Sequence, residues 1–119
     1  MLFRSTLILL IPAPEGIAPD HPQLVALGMT PGDQVMPMVE RGEVTDGVAA
    51  STYLAYDQTR RRAHIVLVSD GITDDAARKI GARATNDLQT ALANALARYG
   101  ADARIGVVTH GADILGQIT

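Results

Sequence analysis

Three short aliphatic runs separated by helical stretches predict an α/β domain built on a short parallel sheet. The runs are Leu7–Ile11 (LILLI), Ile65–Val68 (IVLV) and Ile105–Val108 (IGVV). None alternates apolar with polar residues, the pattern of parallel strands covered on both faces. The intervening segments carry helix periodicity and helix caps, and each run ends in a polar residue followed by glycine. The order strand, helices, strand, helices, strand, joined by right-handed crossovers, gives a three-layer α/β/α arrangement with about three parallel strands, Rossmann-like in type. Residues 1–119 form one domain, with no internal repeat, low-complexity tract or linker.

The first run ends at Pro12, which removes a ladder N–H, and Gly16 then lets the backbone turn with Glu15 beside it. Between Pro12 and Thr45, prolines and glycines break the chain into short helical turns over Pro22–Leu27 and Asp33–Arg41. A longer helix is expected over Asp46–Arg62. After the second run comes a short helix, Thr73–Ile80, with Thr73 as cap, Asp74 and Asp75 in the first turn and Gly81 past the end. The clearest helix follows, in TNDLQTALANALARYG. Leu88, Ala91, Leu92, Ala95, Leu96 and Tyr99 recur at spacings of three and four and make one apolar stripe. Thr85 suits the N-cap, Asp87 the first turn and Gly100 the C-terminal stop. The third run then supplies the third strand.

Composition is globular, with 47% apolar and 19% charged residues, and the single Phe, three Tyr and absence of Trp leave an aliphatic, alanine-rich core. A net charge of -3 excludes a surface suited to nucleic acid or an anionic membrane. The basic run Arg60–Arg62 reads as a solvated helix end, favoured there by the helix dipole. With no cysteine there is no disulfide framework or thiol chemistry, which fits a reducing, cytoplasmic setting. The N-terminal apolar run is too short to span a bilayer, and Pro-Glu-Gly follows it where a signal peptide has small residues.

In open parallel sheets, ligands bind beyond the carboxyl ends of the strands. Three exits, Pro14–Glu15–Gly16, Ser69–Asp70–Gly71 and Thr109–His110–Gly111, are expected to meet on one rim. Asp70 and Thr73 equally suit capping of the following helix. His21, His64 and His110 have no close i, i+4 partner, so no helical metal pair exists. His64 reads as a surface junction residue. His110, at a strand end and titrating near neutrality, is the candidate for proton transfer or a ligand hydrogen bond. Lys79, the only lysine, closes a short helix. Met29, Met36 and Met38 read as core filler, with an apolar contact surface as the alternative.

Three blocks, TLILLIPAPEGI, MVERGEVTDGVAASTYLAYDQTRRRAHIVLVSD and ATNDLQTALANALARYGADARIGVVTHGADIL, together resemble the C-terminal domain of the nickel-pincer-nucleotide-dependent lactate racemase family, from about Thr6 onward. The resemblance implies part of an isomerase that inverts the hydroxyl-bearing carbon of a 2-hydroxy acid. In that family a nickel-pincer nucleotide accepts and returns the substrate hydride. The N-terminal domain supplies the cofactor lysine, a nickel-binding histidine and the acid and base. The C-terminal domain closes over the cleft. By position, Glu15, Gly16, His110 and Gly111 resemble the family's loop contacts, and Tyr53 stands nearest its tryptophan contact. Arg4 and Ser5 replace the family's usual paired glycines, and the chain begins where that domain is already under way. The expectation is a racemase-type domain, inactive alone, that binds no cofactor alone and associates with an N-terminal racemase domain or with itself. The alternative is a stand-alone module holding a small ligand or a protein at the Glu15, Asp70 and His110 rim. A third possibility is an independent enzyme working through His110.

Overall fold

The computed structural model describes residues 5–108. Strand β1 (Thr6–Leu10) is followed by α1 (Pro22–Leu27), a 3-10 turn (Gly32–Gln34), α2 (Val35–Glu40) and α3 (Gly47–Arg60). Then come β2 (His64–Val68), α4 (Asp74–Lys79), β3 (Arg83–Thr85) and α5 (Leu88–Tyr99). The sheet has three parallel strands in the order β1-β2-β3, with Thr6 opposite His64, Leu10 opposite Val68, and Val66 opposite Arg83. This is the small α/β class that the aliphatic runs predict. Among the described residues no helix is long and apolar enough to cross a membrane.

The third strand is not the one expected. Ile105–Val108 belongs to no strand, and its place is taken by Arg83–Thr85, a segment without an apolar run. Its pairing is fixed by polar contacts instead. Ser69 N–H donates to Thr85 O at 3.0 Å, and the Asp74 carboxylate accepts from both Ala84 N–H and Arg83 Nε at 2.9 Å. Thr85 is therefore a strand residue and not a helix cap. Asp87 takes that role for α5, accepting from Gln89 N–H at 3.1 Å.

Alternation along β2 sends Ile65 and Leu67 into a core with Ile72, Ala77, Ile80 and Ala82. His64 and Val66 point the other way and share a cleft with Ala91, Asn94, Ala95 and Arg98 of α5. Tyr56 of α3 and Ala77 of α4 thus pack with Ile65 and Leu67, and residues of α5 line the cleft beside His64 and Val66. A second cluster, Leu27, Val35, Val44, Ala50 and Tyr53, lies within the helical segment, and Tyr56 touches both clusters. Met38 packs against this second cluster, whereas Met29 and Met36 are exposed and fill no core.

Arg60 is the other departure from the sequence reading. Its side chain is only 11% exposed and pairs with the buried carboxylate of Asp57. It donates to Tyr53 Oη (3.2 Å), Gly28 O (3.1 Å) and Ile80 O (3.4 Å). The guanidinium also stands 5.6 Å from the ring centroids of both Tyr53 and Tyr56, a double cation–π arrangement. The end of α3 is thereby fastened to the exits of α1 and α4, and Arg61 alone of that pair reaches into solvent while still holding Asp57 at 3.0 Å. Removing Asp57 costs about 3–5 kcal/mol, because Arg60 is left charged and without a carboxylate partner. Gly32 is part of the same arrangement: a Cβ there would lie 2.5 Å from Asp57 Oδ2.

Asp74 gives the fold a specific acid sensitivity. The Arg83 hydrogen bond, then the Ala84 amide, hold its carboxyl at about 2, below the ordinary 3.8. The folded state thus binds this proton more weakly than the unfolded chain. The stabilisation is full above about pH 4 and fades as pH falls toward 2. Asp74→Asn is expected to be less stable than wild type at pH 7 in urea titrations, with the gap closing between pH 4 and pH 2. A gap constant across that range contradicts the assignment.

Candidate functional site

The carboxyl ends of β1 and β2 come together at one rim. Past β1, Ile11 N–H still donates to Val68 O at 3.1 Å, after which Pro12 ends the ladder. Ala13 O accepts from Gly16 N–H at 3.0 Å, closing a four-residue turn with Pro14 in the second position, where its fixed φ belongs. Glu15 sits exposed at the tip of this turn, and Gly16 takes a φ of +91°. Ala13 itself has a φ of +32°, a left-handed conformation that costs a residue with a Cβ on the order of 1–2 kcal/mol. What holds it there is the β2 exit.

Ser69 Oγ donates to Pro12 O at 3.1 Å and accepts from Gly71 N–H at 3.1 Å, so one hydroxyl joins the two strand ends. Gly71 packs directly beneath Ala13, and a Cβ on it would fall 1.8 Å from Ala13 O. The glycine after Asp70 is therefore required by close backbone approach, and the strained alanine is pinned by that contact.

An open cavity of about 620 Å³ lies against this junction. Leu10, Ile11 and Val68 supply its apolar part, and Ser69, Asp70 and Asn86 its polar part. With Ser69 occupied by the strand exits, the Asp70 carboxylate and the Asn86 amide are the groups free to meet a ligand. Asp70 is the single titratable residue among the described lining residues. The chemistry offered is acceptance from a hydroxyl or ammonium at Asp70 and two-way hydrogen bonding at Asn86. A ligand carboxylate would need its cation from elsewhere.

Of the residues singled out from the sequence, Asp70 lines the cavity, and Glu15 and Gly16 form the turn beside it. His110 and Gly111 lie outside the described residues. Tyr53 is not at the rim: it is 1% exposed within the helical cluster, its hydroxyl 2.7 Å from Thr30 O. Asn86 was missed in the sequence because it lies in a polar stretch, ATND, that reads as a helix start. His21 is structural, its Nδ1 2.6 Å from Asp46 Oδ2, and Asp46 in turn caps α3 by accepting from Val48 and Ala49 N–H. His64, half-buried at the start of β2, is held below the ordinary imidazole range by burial and then by the nearby Arg98 and Arg83. Among the described residues no group of three or more His, Asp or Glu side chains is placed to hold a metal ion.

No protein-family model, curated protein or solved structure matches the chain. The site's meaning rests on its own chemistry.

Gly71→Ala is expected to push the two strand exits apart and destabilise the domain by about 2–4 kcal/mol in denaturant titrations, since the clash is with backbone. Gly47→Ala, at the start of α3 where a Cβ meets nothing within 4 Å, serves as control and should change stability by under about 1 kcal/mol. Equal effects at the two positions contradict the close-packed rim.

Proposed function

We propose that the chain is a ligand-contacting domain of the 2-hydroxy-acid racemase type, which adds rim contacts to a cleft completed by a separate N-terminal catalytic domain and turns over nothing alone. The observation that carries this reading is the cavity beyond the carboxyl ends of β1 and β2, with one carboxylate, one amide and an apolar floor. Inversion of a hydroxyl-bearing carbon needs a positioned acid and base, and Asp70 by itself is neither an opposed pair nor able to neutralise a substrate carboxylate. In this reading Asp70 accepts from the substrate hydroxyl or a cofactor hydroxyl, Asn86 orients it, and the Pro12–Gly16 turn forms the lip. The cation, the nickel-pincer nucleotide and the acid and base come from the catalytic domain. The cofactor's chemistry there is to accept and return a hydride. His110 belongs to the same proposal by sequence position. A cytoplasmic setting and association with the catalytic domain complete it, supported by the absence of cysteine and by the exposed apolar residues of β1.

The test is reconstitution. The chain is mixed with a cofactor-loaded N-terminal racemase domain, and lactate inversion is followed by chiral chromatography. The reading predicts association, inversion only in the mixture, and a loss of roughly tenfold with Asp70→Ala, the size of one lost polar contact to a charged group. No association and no inversion overturn it.

A stand-alone binding module is the second reading, favoured by the size of the cavity, which falls in the range of small-ligand sites. It predicts that a neutral polyol such as glycerol shifts the Gly71 and Asn86 amide resonances of the isolated chain. The racemase-type reading predicts no such shift without the partner domain.

A further inference from the structure

Among the described residues, strand β1 is an edge strand without the charges or proline by which edges are commonly protected. It has β2 on one side only, no charge and no proline, and Leu7, Leu9 and Leu10 are exposed, Leu10 by 62%. Ser5 O accepts from His64 N–H and Ile11 N–H donates to Val68 O, so the odd-numbered residues direct their backbone polar groups at β2. By alternation, the N–H and C=O groups of Thr6, Ile8 and Leu10 face outward from the sheet.

A second unpartnered segment follows α5. Ile105, Val107 and Val108 belong to no strand and are 62%, 82% and 55% exposed. Their position is set by α5. Tyr99, its last residue, places its hydroxyl 2.7 Å from Thr6 Oγ1, at the amino end of β1. Gly100, at a φ of +82°, ends the helix there, and a turn from Gly100 to Ala103 follows. The chain after Ala103 thus starts beside the beginning of β1. Leu96, on the same helix face as Tyr99, is exposed too.

We propose that the outer edge of β1 is a strand-accepting surface and that its occupant is the chain's own segment Ile105–Val108, running parallel to β1. Handedness supports that occupant. The connections β1 to β2 and β2 to β3 run over the face that carries α3 and α4. The return from β3 runs over the opposite face through α5, and a strand laid outside β1 completes a right-handed crossover. The sheet order becomes 4-1-2-3, with the direction of winding reversing between β1 and the added strand. Ligand crevices in α/β sheets form at such a reversal, at the carboxyl ends. Leu10, Ile11 and Pro12, which already line the cavity, are the β1 side of it. That last consequence rests on reading the cavity as a ligand site; the strand pairing does not. Docking would cover apolar residues on both partners and satisfy the outward amides of β1.

The cysteine-free sequence permits a direct test. Leu9→Cys is combined with Val107→Cys in one variant and with Val108→Cys in another, so that one pair shares a sheet face whatever the register. Under mild oxidation of dilute protein, the proposal predicts an intramolecular disulfide in one of the two, seen as a monomer by non-reducing electrophoresis and located by peptide mass mapping. A disulfide-linked dimer makes a second copy the occupant and overturns the proposal, as does the absence of any cross-link. Hydrogen exchange on the unmodified chain gives an independent readout. The Ile8 and Leu10 amides should exchange on the order of 100-fold more slowly than in Val107→Pro, which cannot donate to the ladder. Equal rates in the two proteins overturn the proposal even if the cysteine variants fail to fold.

Discussion

The constraint on which the rest of the structure depends is the burial of Arg60 between two hydrophobic clusters. A three-stranded sheet with a three-residue third strand offers little area for a core, and the helical segment between β1 and β2 builds a separate one around Val35 and Tyr53. Without a bridge, these would be two small clusters, each marginal by itself. Arg60 joins them because its guanidinium reaches carbonyls on both sides, Gly28 of the helical segment and Ile80 of the sheet layer, while Asp57 cancels its charge and two tyrosine rings cover its faces. The arrangement dictates its neighbours. Gly32 has no room for a side chain beside Asp57, and a Cβ on Gly81 would fall 2.8 Å from Arg60 Cδ.

What the amino-acid pattern made legible was the signal carried by continuous apolar runs and by caps. LILLI and IVLV read as parallel strands and pair in that way. Asp46 and Thr73 sit at helix starts, and Pro22–Leu27 is helical over the expected residues. What it hid was decided by specific side-chain partners and not by an apolar pattern. The segment Arg83–Thr85 becomes a strand because Asp74, nine residues before Arg83, grips it. Arg60 looks like its neighbours Arg61 and Arg62 in a basic run, and only the positions of Asp57 and Tyr56 one turn back and Tyr53 two turns back distinguish it. IGVV illustrates the converse: an apolar run shows an affinity for burial without naming the surface that buries it.

The rim was legible in part for the same reason. A polar residue before a glycine at a strand end marks a place where the backbone must turn and something polar must remain outside, and Asp70–Gly71 fulfils both. The geometry adds why the glycine is needed, namely the Ala13 carbonyl lying where a side chain would be. It also adds Asn86, which no local pattern singles out. Tyr53 shows the limit of transferring a position from a resembling family. Its ring lies on α3 and turns into the core, where its hydroxyl serves the Arg60 network. The functional reading accordingly rests on Asp70, Asn86 and the Pro12–Gly16 lip.

Native-state hydrogen exchange tests the role of Arg60 most directly. If its guanidinium unites the two clusters, core amides of Ile65 and Leu67 in the sheet and of Leu27 and Tyr53 in the helical segment share one opening free energy. In Arg60→Met the second group should open at a lower free energy than the first, as a separate unit. Amides that already open separately in the unmodified chain, or that stay together in the variant, would contradict the account.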